Sequence, residues 1–218
     1  FTQWQQRFGL TIYDGLGQTE GHIFIANRLG MPIKPGSMGK PLRGYEAAVF
    51  DDSGSPQPRD VPGHLAIRNN DHPGLARGYR KNPERWAEVN RDGWYYTQDI
   101  AYVDDDGYYW YVARADDLIK SRAYLISPKE VESALLEHPA ILEAAVVGIP
   151  DRAIGHRVKA FVALKPGNEP SDDLASRIHD FVRSTIAPYK VPQQIEFMPE
   201  LPKTANGKIL RRELRARV

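Results

Sequence analysis

The stretch SPKEVESALLEHPAILEAAVVGI, residues 127–149 of the 218-residue chain, runs a helix signal straight into a strand signal. Ser127 is placed to cap a helix, Pro128 suits its first position, and Glu130 stands where a capping box would close. Val131, Ala134 and Leu135 recur at helical spacing on one face. From Ile141 to Ile149 the pattern becomes a continuous apolar, β-branched run, which predicts a strand. RVKAFVALK (157–165) predicts another, and SDDLASRIHDFVRSTI (171–186) a second amphipathic helix. Ser171 is that helix's cap, and Leu174, Ile178, Phe181 and Val182 form its apolar stripe. QQIEFM (193–198) reads as a third strand, and the basic tail as a last short helix. With a short hairpin in DDLIKSRAYLI (116–126), the β-α-β-β-α-β order predicts a small α/β domain.

The residues before it read differently. YEAAVFDDSG (45–54) predicts a strand over Tyr45–Phe50 and then an acidic turn. GHLAIRN (63–69) alternates as a strand. WYYTQDIAYVDDDGYYWYVAR (94–114) predicts a hairpin turning at Asp104–Gly107 amid aromatic and β-branched residues. These form an antiparallel β unit. The fold class is therefore α/β (α+β), with the division at residues 1–113, a joint at 114–117, and 118–218.

Composition narrows the function class. Hydrophobic content of 41% and charged content of 26% are ordinary for a globular protein. Lys and Arg number 29 against 28 Asp and Glu, a net charge of +1, so no global field points to nucleic acid or an anionic membrane. The absence of cysteine excludes disulfides and thiolate metal sites and fits a reducing compartment. No apolar run approaches the roughly 18 residues that span a bilayer. The six histidines lack metal-ligand spacing. The start, FTQWQQRFGL, has no initiator Met and resembles the middle of an element, an expectation that the chain is a fragment.

Four polar clusters carry candidate chemistry, and all are expected at loops. DGLGQTEG (14–21) combines two glycines with Thr19 and Glu20; glycine-rich backbone and a hydroxyl suit phosphate, and the carboxylate suits Mg²⁺. An ordinary loop fits equally well. Asp99, among aromatic strand residues, needs partners because an unpaired buried carboxylate is costly. It reads either as a structural acceptor or as a ligand for two ribose hydroxyls, where a charged hydrogen bond contributes roughly 1.5–3 kcal/mol. ARADDLIK (113–120) offers Arg114 as a nucleotide contact and Asp116 as a hinge, against the reading of a solvated charge run. In PKTANGKILRRELR (202–215), Asn206 and Gly207 favour left-handed backbone, and Lys208 leaves the turn held at its base and free at its tip. The alternative is a solvated basic face formed by Lys203, Lys208, Arg211, Arg212, Arg215 and Arg217.

In this order and spacing, the Thr-Glu pair, the hairpin aspartate, RADDLIK with SPKEVE, and PKTANGK resemble the adenylate-forming acyl-CoA synthetases over essentially the whole chain. IKPGSMGKP (33–41), APYKVP (187–192) and ELPKTANGK (200–208) resemble the medium-chain branch, and DGLGQTEGHIFIANR (14–28) the benzoate-CoA ligases. The resemblance implies the end of a large nucleotide-binding domain followed by a small mobile C-terminal domain. It implies an AMP-forming ligase using ATP, Mg²⁺, CoA and a medium-chain or aryl carboxylic acid. Asp14, Gly15, Leu16, Gly17, Gln18 and Thr19 would line adenine and α-phosphate, and Glu20 would hold Mg²⁺. Asp99 would bind the ribose with Arg114 beside it, and Asp116 would be the hinge. Arg122, Ala123 and Tyr124 would lie along the CoA path, and Lys208 would be the adenylation lysine. A lysine acyltransferase acting on Lys208 and a homo-oligomer are partners it leaves open. The implied location is cytoplasmic, with the mitochondrial matrix as the alternative.

Departures are specific. Gln98 and Ala123 replace glycines, Leu16 replaces a tyrosine, and Leu125 replaces an arginine. The family's phosphate-binding loop and most of its acyl pocket lie upstream of these motifs, so the chain is expected to be the C-terminal portion of a longer enzyme. Two other readings follow: an adenylating enzyme with an impaired or different acyl acceptor, and a non-catalytic nucleotide-binding relative.

Overall fold

Aromatic and β-branched runs of the first half pair as antiparallel strands in the computed structural model, which describes residues 1–122 and 124–217. The chain divides into two compact units, Phe1–Ala115 and Asp116–Val218. The first begins with α1 (Thr2–Phe8), followed by a sheet of β1 (Gly15–Gln18), β2 (His22–Ala26) and β3 (Lys40–Pro41), adjacent in that order. A five-stranded sheet contains β4 (Ala47–Phe50), β5 (Gly63–Arg68), β6 (Asn90–Arg91), β7 (Trp94–Val103) and β8 (Tyr109–Arg114). Its order is β4-β5-β7-β6, with β8 also paired to β7. The expected strand from Tyr45 begins two residues later, at Ala47. The β7–β8 turn closes at Gly107, whose φ of 80° needs the left-handed freedom of glycine. Between β5 and β6, α2 (Pro83–Val89) is capped by the Asn82 side chain, which accepts from the Arg85 amide. The core of this unit joins Phe24 and Ile25 to Leu65, Ile67, Tyr95 and Tyr109.

The second unit contains β9 (Ile119–Ser121), β10 (Tyr124–Ile126), α3 (Pro128–Leu136), β11 (Ile141–Asp151), β12 (Gly155–Leu164), α4 (Asp172–Thr185), β13 (Gln194–Phe197) and α5 (Arg211–Arg215). Its sheet runs β10-β9-β12-β11, and β13 adds to β12 in parallel. The unbroken apolar run of β11 has a physical reason: both of its faces are covered. Val146 packs with Val131, Leu135, Ile178 and Val182 under the two long helices. Ala145 and Val147 face the other way, against Phe161, Leu201 and Leu214. Ser171 caps α4 as expected, accepting from the Leu174 amide at 3.1 Å.

The capping box at α3 does not form. Ser127 occupies the N-cap position without a side-chain cap bond. Glu130 turns instead to Lys190, at 2.5 Å, because a charge-assisted bond outcompetes a neutral backbone donor.

Candidate functional site

Residues 14–21 are not one open loop. Gly15–Gln18 is strand β1, registered against β2 with an irregularity between Leu16 and Gly17. A Cβ on Gly15 would stand 2.7 Å from the Ile25 carbonyl oxygen, and one on Gly17 only 2.0 Å from that of His22. The close approach these glycines permit is to β2. Leu16 packs against the core of the unit. The strand then delivers Thr19, which is exposed, and Glu20, which is half-buried, to the turn. Segment 76–79 grips Glu20 twice. The Ala76 amide donates to its carbonyl at 2.6 Å, and the Tyr79 hydroxyl donates to its Oε1 at 2.7 Å. Burial and then the Glu20 carboxylate push the Tyr79 phenol above its ordinary value, so it remains a donor.

Gln18, Asp99 and Arg114 come together. Asp99 and Arg114 are register partners on β7 and β8, and Arg114 Nη1 donates to Asp99 Oδ1 at 3.1 Å. Gln18 Nε2 donates to Asp99 Oδ2 at 2.8 Å and to the Thr97 carbonyl at 2.9 Å. The Tyr95 hydroxyl donates to Gln18 Oε1 at 2.7 Å, which fixes the amide's orientation. Asp99 is only 2% exposed. Burial raises its pKa, opposed by Arg114, Thr97 and Gln18. Gln98 sits between them at φ 63°, the left-handed region that suits the glycine expected here from the family resemblance. A non-glycine residue there costs roughly 1–2 kcal/mol. Its Oε1 accepts from Arg114 Nη2 at 3.3 Å, so the extra side chain steadies the arginine. Asp14 lies at the start of β1, where its carbonyl accepts from the Asn27 amide at 2.8 Å.

The remaining candidates belong to the second unit. Asp116 is its first residue and is exposed; Arg122 and Tyr124 are also exposed, and Tyr124 stacks on Tyr189 at 4.1 Å between centroids. Ala123 lies outside the described residues. Lys208 sits in a closed turn: the Thr204 amide donates to its carbonyl at 2.8 Å, and its own amide donates to Thr204 Oγ1 at 3.1 Å. Only Gly207, at φ 77°, takes the left-handed conformation; Asn206 does not. The turn is thus internally bonded and holds Lys208 at its base, and mobility at Lys208 is left to its side chain.

The basic tail is not a uniform solvated face. Lys203 pairs with Glu143 at 2.6 Å, Arg211 with Glu132 at 2.7 Å, and Arg215 with Asp117 at 2.5 Å. Among the described residues, the exposed Lys208 ammonium has no such pair.

Two signals were missed in the sequence. Tyr79 lies in GYRKNPERW (78–86), a polar stretch without periodicity. Gln18 read as backbone for a nucleotide, whereas its side chain joins β1 to Asp99. Neither contact follows from spacing, because the partners are 59 and 81 residues away.

Comparison with known proteins places this geometry in a family. Residues 1–80 match the family model of the AMP-binding enzymes, and residues 130–208 match that of the AMP-binding enzyme C-terminal domain. The 4-hydroxybutyrate–CoA ligase 1 of Metallosphaera sedula is 48% identical over 98% of this chain and 38% of its own length. The mitochondrial acyl-coenzyme A synthetase ACSM3 of Mus musculus is 46% identical over 98% of this chain and 37% of its own. The crystal structure of the anthranilate CoA ligase AuaEII in complex with anthranoyl-AMP superposes with a TM-score of 0.87 at 44% identity, covering 99% of this chain and 41% of that one. The chain therefore spans less than two-fifths of the length of the two sequence relatives. Both family models match in chain order, one in each compact unit, and the chain belongs to the adenylate-forming AMP-binding enzyme family.

Proposed function

We propose that this chain is the C-terminal part of an AMP-forming carboxylic acid–CoA ligase. In the first half-reaction a substrate carboxylate oxygen attacks the α-phosphorus of ATP, and pyrophosphate leaves. In the second, the CoA thiol attacks the acyl carbon, and AMP leaves. The observation that carries the proposal is Lys208. It is exposed and, among the described residues, free of ion pairs, while Lys203, Arg211 and Arg215 around it are tied down. An ammonium held that way suits bridging the carboxylate and the α-phosphate as charge builds in the transition state. As a point charge on a long stem, lysine suits a site that it enters and leaves.

Asp14 to Thr19 would face adenine and α-phosphate, and Asp99, steadied by Gln18 and Arg114, would accept the ribose hydroxyls. Glu20 would hold Mg²⁺. The donor fits that ion: Glu20 is a half-buried oxygen ligand whose Oε1 is held by the Tyr79 hydroxyl. A single carboxylate plus substrate phosphates is a usual Mg²⁺ arrangement. Bound there, the ion would neutralise phosphate charge. The unit boundary at Ala115 and Asp116 supports a hinge at Asp116, with the large domain ending near residue 113 and the small one starting near 118. Acylation of Lys208 would remove its charge and its role together. No helix among the described residues is long and apolar enough to cross a membrane.

Lys208→Ala in the intact protein tests the reading. Loss of about 3–4 kcal/mol of transition-state stabilisation lowers ATP–pyrophosphate exchange by roughly 10²–10³-fold. The melting temperature stays unchanged, because the ammonium has no partner to lose. Undiminished exchange overturns the assignment. A second reading, adenylation with another acyl acceptor, draws on Leu125. It is 60% exposed where the resemblance expects an arginine along the CoA path. Adenylate trapped by hydroxylamine, without AMP release on adding CoA, would favour it.

A further inference from the structure

We propose that Tyr79 is the positioning residue for Glu20, orienting its carboxylate toward the metal–nucleotide complex; this rests on the reading of Glu20 as the Mg²⁺ ligand. Glu20 stands in a turn between strands, and nothing in β1 or β2 fixes its side chain. A free glutamate loses rotamer entropy on being immobilised. Here the restraint comes from outside the motif. The Tyr79 hydroxyl donates to Oε1 at 2.7 Å, and the Ala76 amide holds the Glu20 carbonyl at 2.6 Å. The next residue is held as well, since the Tyr45 hydroxyl donates to the Gly21 carbonyl at 3.1 Å. Tyr79 is itself seated edge-on against Trp86, with ring centroids 5.3 Å apart at 87°, so its hydroxyl is aimed by α2. With Oε1 engaged by the phenol, Oε2 is presented in one orientation to a cation. The neighbouring Tyr95 hydroxyl, which also interacts with Tyr79, donates to Gln18 and so reaches the Asp99 side of the site. Two tyrosines thus serve two carboxylates: Tyr79 directly for Glu20, and Tyr95 through Gln18 for Asp99.

Removing an outer-shell partner of a metal ligand typically weakens metal affinity 10–100-fold. The test is Mn²⁺ binding to the intact protein with a non-hydrolysable ATP analogue, followed by electron paramagnetic resonance. Wild type is compared with Tyr79→Phe and Glu20→Gln. Tyr79→Phe removes one oxygen and keeps the packing on Trp86, and an unchanged melting curve verifies this. The expected result is Mn²⁺ affinity about tenfold weaker in Tyr79→Phe and at least that much weaker in Glu20→Gln. A loss in Glu20→Gln with none in Tyr79→Phe overturns the positioning role and leaves the metal assignment standing. No loss in Glu20→Gln overturns the metal assignment itself.

Discussion

Arg211→Met should unfold the second unit selectively, and the size of the effect follows from one buried carboxylate. Glu132 on α3 is 9% exposed and accepts Arg211 Nη2 on both oxygens at 2.7 Å, together with the Val146 amide at 2.8 Å. Val146 lies on β11, which among the described residues pairs with β12 alone, so Glu132 also satisfies a donor on the edge of the sheet. Taking away the arginine strands a buried charge, a change that costs about 3–5 kcal/mol. The Arg211 side chain is 25% exposed, so water can enter and the lower end, about 3 kcal/mol, applies. For a domain of this size each kcal/mol lowers Tm by about 4–8 °C, giving a fall of at least about 12 °C. The assay is simple because all four tryptophans, Trp4, Trp86, Trp94 and Trp110, lie in the first unit. Far-UV circular dichroism should therefore show an early transition in the variant while tryptophan fluorescence keeps its wild-type midpoint. Adding Glu132→Gln removes the charge but keeps an acceptor for Val146, and should restore more than half of the loss. A single variant within about 1 kcal/mol of wild type, or a double variant as unstable as the sum of the singles, would refute the stranded-charge argument.

Two further outcomes test the first unit. Gly17→Ala places a methyl 2.0 Å from the His22 carbonyl oxygen and 2.9 Å from the Ile23 Cα, contacts with backbone that no rotamer change relieves. A cost of about 3 kcal/mol, the top of the overpacking range, is expected in urea unfolding followed by tryptophan fluorescence; less than about 1 kcal/mol would show that β1 and β2 part easily. Asp104 supplies a pH test. Burial works to raise its pKa, but bonds from Lys34, the Tyr108 amide and the Trp110 indole outweigh it and hold the carboxyl at about 2. Its folded pKa lies below the unfolded 3.8, so its contribution is complete above that value and is lost as pH falls toward about 2. The stability gap between wild type and Lys34→Met, read from tryptophan fluorescence of the first unit, should therefore be full above pH about 4 and close as pH falls through about 2. A gap that persists at pH 2 would point to packing rather than charge.

Much of this protein was legible in one dimension because the signals are local. Helices α3 and α4 announced themselves by caps and 3.6-residue periodicity, and β7–β8 by an Asp-Gly turn between aromatic runs. Asp99 was suspect because a carboxylate between strand aromatics has to be partnered. The error at Glu130 was also local in origin: a capping box is read from spacing, whereas Lys190, the partner that displaced it, lies 60 residues away. The glycines of Asp14–Gly21 were identified as sites of close approach, but what approaches them is strand β2.

Residue identities alone thus determined helices α3 and α4 and the β4, β5, β7, β8, β11 and β12 strands, that two kinds of unit follow one another, and which polar residues form the family motifs. Helices α1 and α2 and strands β1 and β2 were not legible in them. Periodicity, caps and turn residues act within a few positions. The tertiary structure decided which of those residues are held and by what. It joined Gln18 to Asp99 and Arg114, set Tyr79 on Glu20, and drew Lys203, Arg211 and Arg215 into ion pairs while leaving Lys208 exposed. Those outcomes depend on contacts between residues 15 to 98 positions apart. Distances of that kind exist only once the sheets have closed.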